Sequence, residues 1–121
     1  MSKKFKDDLA IADMVSKEAY NGLFEVLELK TPAARIYLRF ALANARLMDR
    51  KQQEYGCKNI SAFGVFGVVV KMTDKFERLK HLFGMGRRAK TINESIEDSF
   101  RDVSNYGVIA LMVERGEWPN E

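Results

Sequence analysis

TINESIEDSFRDVSNYGVIALMVERG, residues 91–116, carries the clearest helical pattern of this chain. Its apolar residues recur at steps of three and four, which places them in one sector of an α-helix: Ile96, Phe100, Val103, Gly107 and Ala110. Thr91 and Glu94 have the spacing of a capping box, so the helix is predicted to begin there. It is predicted to end near Gly116, since glycine tolerates the left-handed conformation that follows a helix.

Similar patterns precede this segment. Residues 65–83 form a broad apolar stripe with helical spacing. Further upstream, Thr31-Pro32 combines a side-chain cap with proline at the first helical position. A long helix is therefore predicted from Pro32 to about Tyr55, with Gly56 ending it.

The predicted fold is all-α, a four- to five-helix bundle. Residues 5–29 carry another helical stripe, which Asn21-Gly22 is predicted to divide into two shorter helices. We expect an N-terminal helical extension over residues 1–30, a helical core with the functional residues over 31–116 and a frayed tail over 117–121.

Composition excludes several classes of protein. The chain has 121 residues and a formal net charge of +3, which suits one domain. Cys57 has no partner for a disulfide, and with a single histidine the chain lacks the ligands of a His/Cys zinc site. No apolar run approaches a bilayer span of about 20 residues. We therefore expect a cytoplasmic protein with no membrane partner. Its basic residues are dispersed among acidic ones, so no stable nucleic-acid partner is expected either.

An acidic row lies opposite the apolar sector of the last helix. It comprises Glu94, Asp98, Asp102 and Asn105, again at steps of three and four. One interpretation is a solvated helix face, which is ordinary in globular proteins. The other is a row of ligands for Mg²⁺, which prefers a few carboxylate oxygens and retains waters.

The preceding helix carries Lys71, Asp74, Lys75 and Arg78 on its polar flank. Asp74 and Arg78 are four residues apart and are compatible with a simple surface salt bridge. Alternatively, Asp74 joins the metal ligands while Lys75 and Arg78 bind phosphate oxygens, for which the planar guanidinium is well suited.

Several segments between Lys51 and Leu111 carry a family resemblance. They are Lys51…Glu54-Tyr55-Gly56, Ser61-Ala62-Phe63, Val70-Lys71-Met72-Thr73-Asp74-Lys75-Phe76-Glu77-Arg78-Leu79 and Glu94-Ser95-Ile96-Glu97-Asp98-Ser99-Phe100-Arg101-Asp102-Val103-Ser104-Asn105-Tyr106. Their order and spacing resemble the nucleotide-modification-associated domain family of phage and bacteria. The helical layout is similar to that of the MazG-like all-α nucleoside triphosphate pyrophosphatases.

The resemblance implies two alternative functions. MazG-like proteins cleave nucleoside triphosphates to monophosphate and pyrophosphate with magnesium held by carboxylates on neighbouring helices. This sequence departs from their Glu-x-x-Glu and Glu-x-x-Asp signature, because Asp98-x-x-x-Asp102 has a four-residue step. A non-catalytic protein that sequesters a signalling nucleotide in phage counter-defence is therefore the alternative to a magnesium-dependent pyrophosphohydrolase.

The enzyme interpretation assigns a role to each candidate residue. The metal ligands are Asp74, Asp98 and Asp102, and Glu94 or Glu97 orients the attacking water. Nucleotide or phosphate binding is assigned to Tyr55, Lys58, Asn59, Lys75, Arg78, Arg87, Arg88 and Asn105. The expected cofactor is Mg²⁺ and the expected ligand a nucleotide, which makes residues 31–116 the expected nucleotide-binding core. If the protein is phage-encoded, it is expected in the host cytoplasm.

Self-association is the last expectation. Short helices bury limited surface, and Ile109 and Met112 are predicted to lie on the acidic side of the last helix. A partner subunit covering that side would shelter the site. The resemblance implies a homo-oligomer, either a dimer or a tetramer, whereas a helical interaction protein without a small ligand is a third possibility.

Overall fold

The computed structural model describes residues 1–86 and 89–120, and over those ranges the chain is all-α, as predicted. It forms six helices and no strand there: α1 (Lys3–Ala12), α2 (Lys17–Val26), α3 (Pro32–Tyr55), α4 (Lys58–Ser61), α5 (Gly64–Gly84) and α6 (Lys90–Glu114). The helix beyond the predicted four or five is the one-turn α4, in a segment that the sequence indicated as a loop. No helix in the described ranges has the length and hydropathy needed to cross a bilayer.

The ends of α3 confirm the local signals in the sequence. Thr31 Oγ1 accepts a hydrogen bond from the Ala34 N–H at 3.2 Å, and Pro32 occupies the first helical position. Gly56 follows the helix with a φ of 72°, a conformation that an L-residue with a Cβ adopts at a cost.

The break between the first two helices was predicted at the wrong place. Gly22 lies within α2, and the chain leaves helical conformation earlier, before Ser16. Ser16 Oγ accepts a hydrogen bond from the Ala19 N–H at 3.0 Å. This cap satisfies a backbone donor that would otherwise be free, and it outweighs the modest cost of an internal glycine.

The predicted capping box of α6 is also wrong. The helix begins at Lys90 after Ala89, which provides no side-chain cap, so Thr91 lies inside the first turn. The other end follows the prediction. Gly116 has a φ of 71°, its N–H donates to Val113 O at 3.0 Å, and the Glu117 N–H donates to Met112 O at 2.9 Å. These two bonds form a Schellman motif.

The segment after α6 is anchored rather than frayed at Trp118. Its side chain is 8% exposed and belongs to a core cluster with Cys57, Ile60, Val68 and Ile109. The indole Nε1–H donates to the Cys57 carbonyl oxygen at 2.9 Å. The aromatic ring supplies buried apolar area and the N–H finds a partner, which accounts for its position.

The chain divides into two compact units within α3, between Leu47 and Met48. The first unit, Ser2–Leu47, has a small core of Phe5, Leu9 and Ala43. The second begins at Met48 and includes Met1. The functional division at residues 30 and 31 stays a prediction.

In the second unit, α5 and α6 form an antiparallel pair. Leu79 and Leu82 pack against Ile96 near one end, and Val68 packs with Ile109 toward the other. These contacts fix which face of α6 is buried, and therefore which side chains enter the site.

The predicted inner face of α6 is buried only in part, since Ile96 and Val103 pack in the core and other members do not. Phe100 is 50% exposed, and Leu111, on the same apolar side, is 65% exposed. Asp102 and Ile109 are buried instead. The helix has apolar residues on more than one side, so its neighbours decide which of them are covered.

Candidate functional site

A cavity of about 390 Å³ lies among α3, α4, α5 and α6 in the second unit. Its lining residues are Met48, Lys51, Gln52, Tyr55, Asn59, Ile60, Lys71, Lys75, Asp102, Asn105, Tyr106 and Ile109. The packing of α5 on α6 positions most of its polar side chains, while α3 and α4 close the remaining sides. Three lysines against one carboxylate leave the lining with an excess of two positive charges.

Asp102 is the buried charge at the centre of this site. It is only 7% exposed, and its carboxylate forms ion pairs with lysines on two other helices. Lys75 Nζ lies 3.0 Å from Oδ2, and Lys51 Nζ lies 3.5 Å from Oδ1. A buried carboxylate requires such compensation, because its desolvation is costly when it is unpaired.

A second cavity of about 280 Å³ adjoins the first. It is lined by Lys71, Asp74, Lys75, Arg78 and Tyr106. Lys71, Lys75 and Tyr106 line both cavities. The two spaces therefore share a wall, and three cations from successive turns of α5 surround the second one.

Tyr106 is held protonated at this shared wall. Burial raises the pKa of its phenol, and the negative charges of Asp102 and Asp74 raise it further. The hydroxyl is therefore neutral at physiological pH and available as a hydrogen-bond donor to an anionic ligand.

The other end of the first cavity is less charged. Tyr55 and Asn59 lie there with the apolar side chains of Met48, Ile60 and Ile109. Asn59 Oδ1 is buried and has no hydrogen-bond partner. Lys71, Lys75 and Arg78 thus lie on α5, whereas the wall on α3 and α4 carries Tyr55 and Asn59 together with one cation, Lys51, which pairs with Asp102.

Seven of the sequence-predicted residues line these two cavities. Tyr55, Asn59, Lys75, Asp102 and Asn105 line the first cavity, and Asp74, Lys75 and Arg78 line the second. Two members of the acidic row, Asp102 and Asn105, therefore line the first cavity.

Other predicted residues lie elsewhere. Asp98 and Lys58 are exposed and line neither cavity. Glu94 approaches Lys90 at 3.9 Å, and Glu97 lies 3.7 Å from the N-terminal ammonium group. Arg87 and Arg88 lie outside the described residues.

The predicted three-aspartate cluster is not assembled within this chain. Asp102 is buried, whereas Asp74 and Asp98 are exposed. No three His, Cys, Asp or Glu side chains come together as metal ligands anywhere in residues 1–86 and 89–120. Asp98 lies one turn before Asp102 on α6 and stays exposed, outside the linings of both cavities.

The sequence interpretation gave no role to Lys51, Lys71 and Tyr106. Lys71 lies one turn before Lys75 on α5, so helical spacing predicts that both share a face. Lys51 similarly lies one turn before Tyr55 on α3. Tyr106 directly follows Asn105, and only the packing of α6 shows that both residues line one wall.

Comparison with known proteins identifies the family. The family model described as nucleotide modification associated domain 1 matches residues 51–113, about half of the chain. The chain belongs to this family. The family segment contains every lining residue of both cavities except Met48. No curated protein and no solved structure gives a match.

Proposed function

We propose that the protein binds a nucleotide in the two adjoining cavities. The observation that carries this proposal is the site itself, with Lys71, Lys75 and Arg78 on α5 and Tyr55 and Asn59 on the wall of α3 and α4. The description of the family as nucleotide modification associated supports the same class of ligand.

The cationic end suits the phosphates. Lys71 and Lys75 line both cavities, and Arg78 extends the positive surface along α5. Ammonium and guanidinium groups form charge-assisted hydrogen bonds with phosphate oxygens, which are stronger than neutral ones. The protonated Tyr106 hydroxyl adds a neutral donor at the shared wall.

The opposite end suits the base. Tyr55 offers an aromatic face, and Ile60 and Ile109 contribute apolar surface. A volume of about 390 Å³ falls within the usual range of small-molecule sites, roughly 300–1,000 Å³. Asn59, whose Oδ1 is buried and has no partner, supplies a polar group within this wall.

Equilibrium binding of a panel of nucleoside triphosphates tests the proposal. We expect Lys71→Gln to weaken binding by about tenfold or more, because each lost charge-assisted contact contributes roughly 1.5–3 kcal/mol. Lys80→Gln is the matched control, since Lys80 is an exposed α5 residue paired with Glu77. If no nucleotide binds, or if both variants bind as the wild type does, the proposal fails.

Magnesium-dependent pyrophosphohydrolysis is the second candidate function. Its support is that Asp102 lines the first cavity and Asp74 the adjoining one. Magnesium in nucleotide sites is commonly held by one or two carboxylates together with the substrate phosphates. Asp74 and Asp102 would hold the ion in this chain, and it would neutralise the phosphate charge. The roles assigned to Glu94 and Glu97 in orienting water stay proposals.

Product analysis separates the enzyme from a sequestering protein. For the enzyme, incubation with a nucleoside triphosphate and Mg²⁺ releases pyrophosphate, and Asp102→Asn or Asp74→Asn abolishes release. Asp98→Asn serves as the control, because Asp98 lines neither cavity. For a phage protein that only sequesters a nucleotide, the ligand is recovered intact after denaturation and no pyrophosphate appears.

A further inference from the structure

Asn59 has an unusual hydrogen-bonding state. Its Oδ1 is the one buried side-chain N or O atom without a partner within residues 1–86 and 89–120. Buried polar groups in folded proteins are paired in the great majority of cases, because an unpaired acceptor loses its water without compensation. An exception inside a cavity wall therefore points to a missing donor.

The described residues provide no hydrogen-bond donor to Asn59 Oδ1. The ammonium groups of Lys51 and Lys75 are directed to Asp102. Ile60, the next residue on α4, is buried in the apolar cluster and offers no side-chain donor. No side chain within residues 1–86 and 89–120 supplies the donor, so a ligand is a candidate source.

We propose that Asn59 Oδ1 accepts a hydrogen bond from a ring or exocyclic N–H of a nucleobase. This inference rests on the proposed function and narrows it, since the site then takes a nucleotide with an unsubstituted N–H on its base. Inorganic polyphosphate and sugar phosphates lack such a donor. Because Oδ1 is buried, the proposal requires the terminal amide to rotate so that this oxygen faces the cavity when the base is bound.

The position of Asn59 agrees with this role. It lies on α4 at the end of the cavity with Tyr55, whereas Arg78 lines only the adjoining cationic cavity. A nucleotide whose phosphates contact α5 therefore presents its base toward Asn59. Stacking on Tyr55 would orient the base and its N–H edge. It would not select one base over another, because every base has an aromatic face.

Methylated nucleotides test the proposal directly. Binding constants are measured for ATP, GTP, CTP and UTP and for the counterparts whose base N–H groups are methylated, with inorganic triphosphate as the probe without a base. The proposal predicts that the tightest-binding nucleotide loses about tenfold or more in affinity on methylation, as expected for a donor facing a buried acceptor.

A variant completes the test. In Asn59→Ala, the parent and methylated nucleotides are expected to bind within about twofold of each other, because the acceptor is gone. Ser61→Ala, an exposed position on the same helix, should retain the wild-type discrimination. Melting curves check that each variant folds. The comparison of parent and methylated nucleotides on the wild-type protein does not depend on any variant.

The outcomes separate the two proposals. If nucleotides bind but methylation has no effect, or if inorganic triphosphate binds equally well, the role of Asn59 is overturned while nucleotide binding stands. If no nucleotide binds the wild type, the proposed function fails and the base-reading role fails with it.

Discussion

Asp102 is a carboxylate that the fold withdraws from water and pairs with two ammonium groups. Lys75 on α5 and Lys51 on α3 lie 3.0 and 3.5 Å from its oxygens. Both lysines keep partial contact with solvent, which moderates the strength of the ion pairs. These ion pairs join α3, α5 and α6 at Asp102. The stability of the site therefore depends on the charge of this carboxylate.

Removal of this carboxylate is therefore expected to destabilise the protein. Asp102→Ala should lower the free energy of unfolding by about 2 kcal/mol, because two lysines lose their partner and a buried volume is left. Asp98→Ala, an exposed position one turn earlier, should change it by less than about 0.5 kcal/mol. Urea unfolding of both variants measures the difference, and equal small effects would contradict a central role for Asp102.

Tyr106 gives a prediction for the dependence of stability on pH. Its pKa is raised above the ordinary value by burial and by neighbouring negative charge. The folded protein therefore keeps a proton that the unfolded chain releases near pH 10, the ordinary pKa of tyrosine. The associated stability is fully present below that pH and is lost as the pH rises through the folded-state pKa.

Unfolding measured over a range of pH for the wild type and for Tyr106→Phe checks the direction of this dependence. The free energy of unfolding of the wild type should fall more steeply above about pH 10 than that of Tyr106→Phe. Tyr20 also has a raised pKa, so the difference between the two proteins, rather than either curve, isolates Tyr106. Parallel curves for the two proteins would be inconsistent with the burial of this hydroxyl.

The short helix α4 depends on a distant segment of the chain. Trp118 follows α6, packs beside Ile60 and donates its indole N–H to Cys57 O, immediately before α4. A four-residue helix has little stability of its own, because helix nucleation is costly. This long-range contact therefore helps to hold α4, and with it Asn59, at the cavity.

Substitution of Trp118 tests this dependence. Trp118→Phe keeps an aromatic ring but removes the N–H donor and part of the buried area. It should lower the free energy of unfolding by about 1–2 kcal/mol and weaken nucleotide binding. Glu117→Gln is the neighbouring control, since its pair with Arg115 is exposed and exposed pairs contribute little. Wild-type nucleotide affinity in Trp118→Phe would show that α4 is positioned by other contacts.

Local signals in the sequence predicted where helices lie along the chain. They did not predict well which side of a helix is buried. Thr31, Pro32 and Gly56 act on backbone groups within a turn or two, so sequence alone located α3. The buried side of α6 depends on α5, and apolar residues such as Phe100 and Leu111 lie outside it. The pairing of Lys51 with Asp102 joins positions far apart in the chain, and no spacing rule reveals it.

Exposed apolar residues on α5 and α6 bear on the oligomeric state. Ile109 and Met112, predicted to face a partner subunit, instead lie in or against the core. Val69, Phe76 and Phe83 recur every seven residues on α5 and are each about half exposed. The Phe83 ring contacts the Phe100 ring of α6 with centroids 6.3 Å apart. These side chains therefore form one apolar stripe across the helix pair.

We expect the protein to self-associate through this stripe, since soluble monomers rarely expose contiguous apolar surface of this kind. Phe83→Glu and Leu111→Glu should each shift the protein toward monomer in sedimentation experiments, because a charge cannot be buried unpaired at an apolar contact. Val26→Glu is the control, an apolar residue that is 80% exposed on α2. A wild-type protein that sediments as a monomer at micromolar concentration would exclude the dimer or tetramer expected from the sequence.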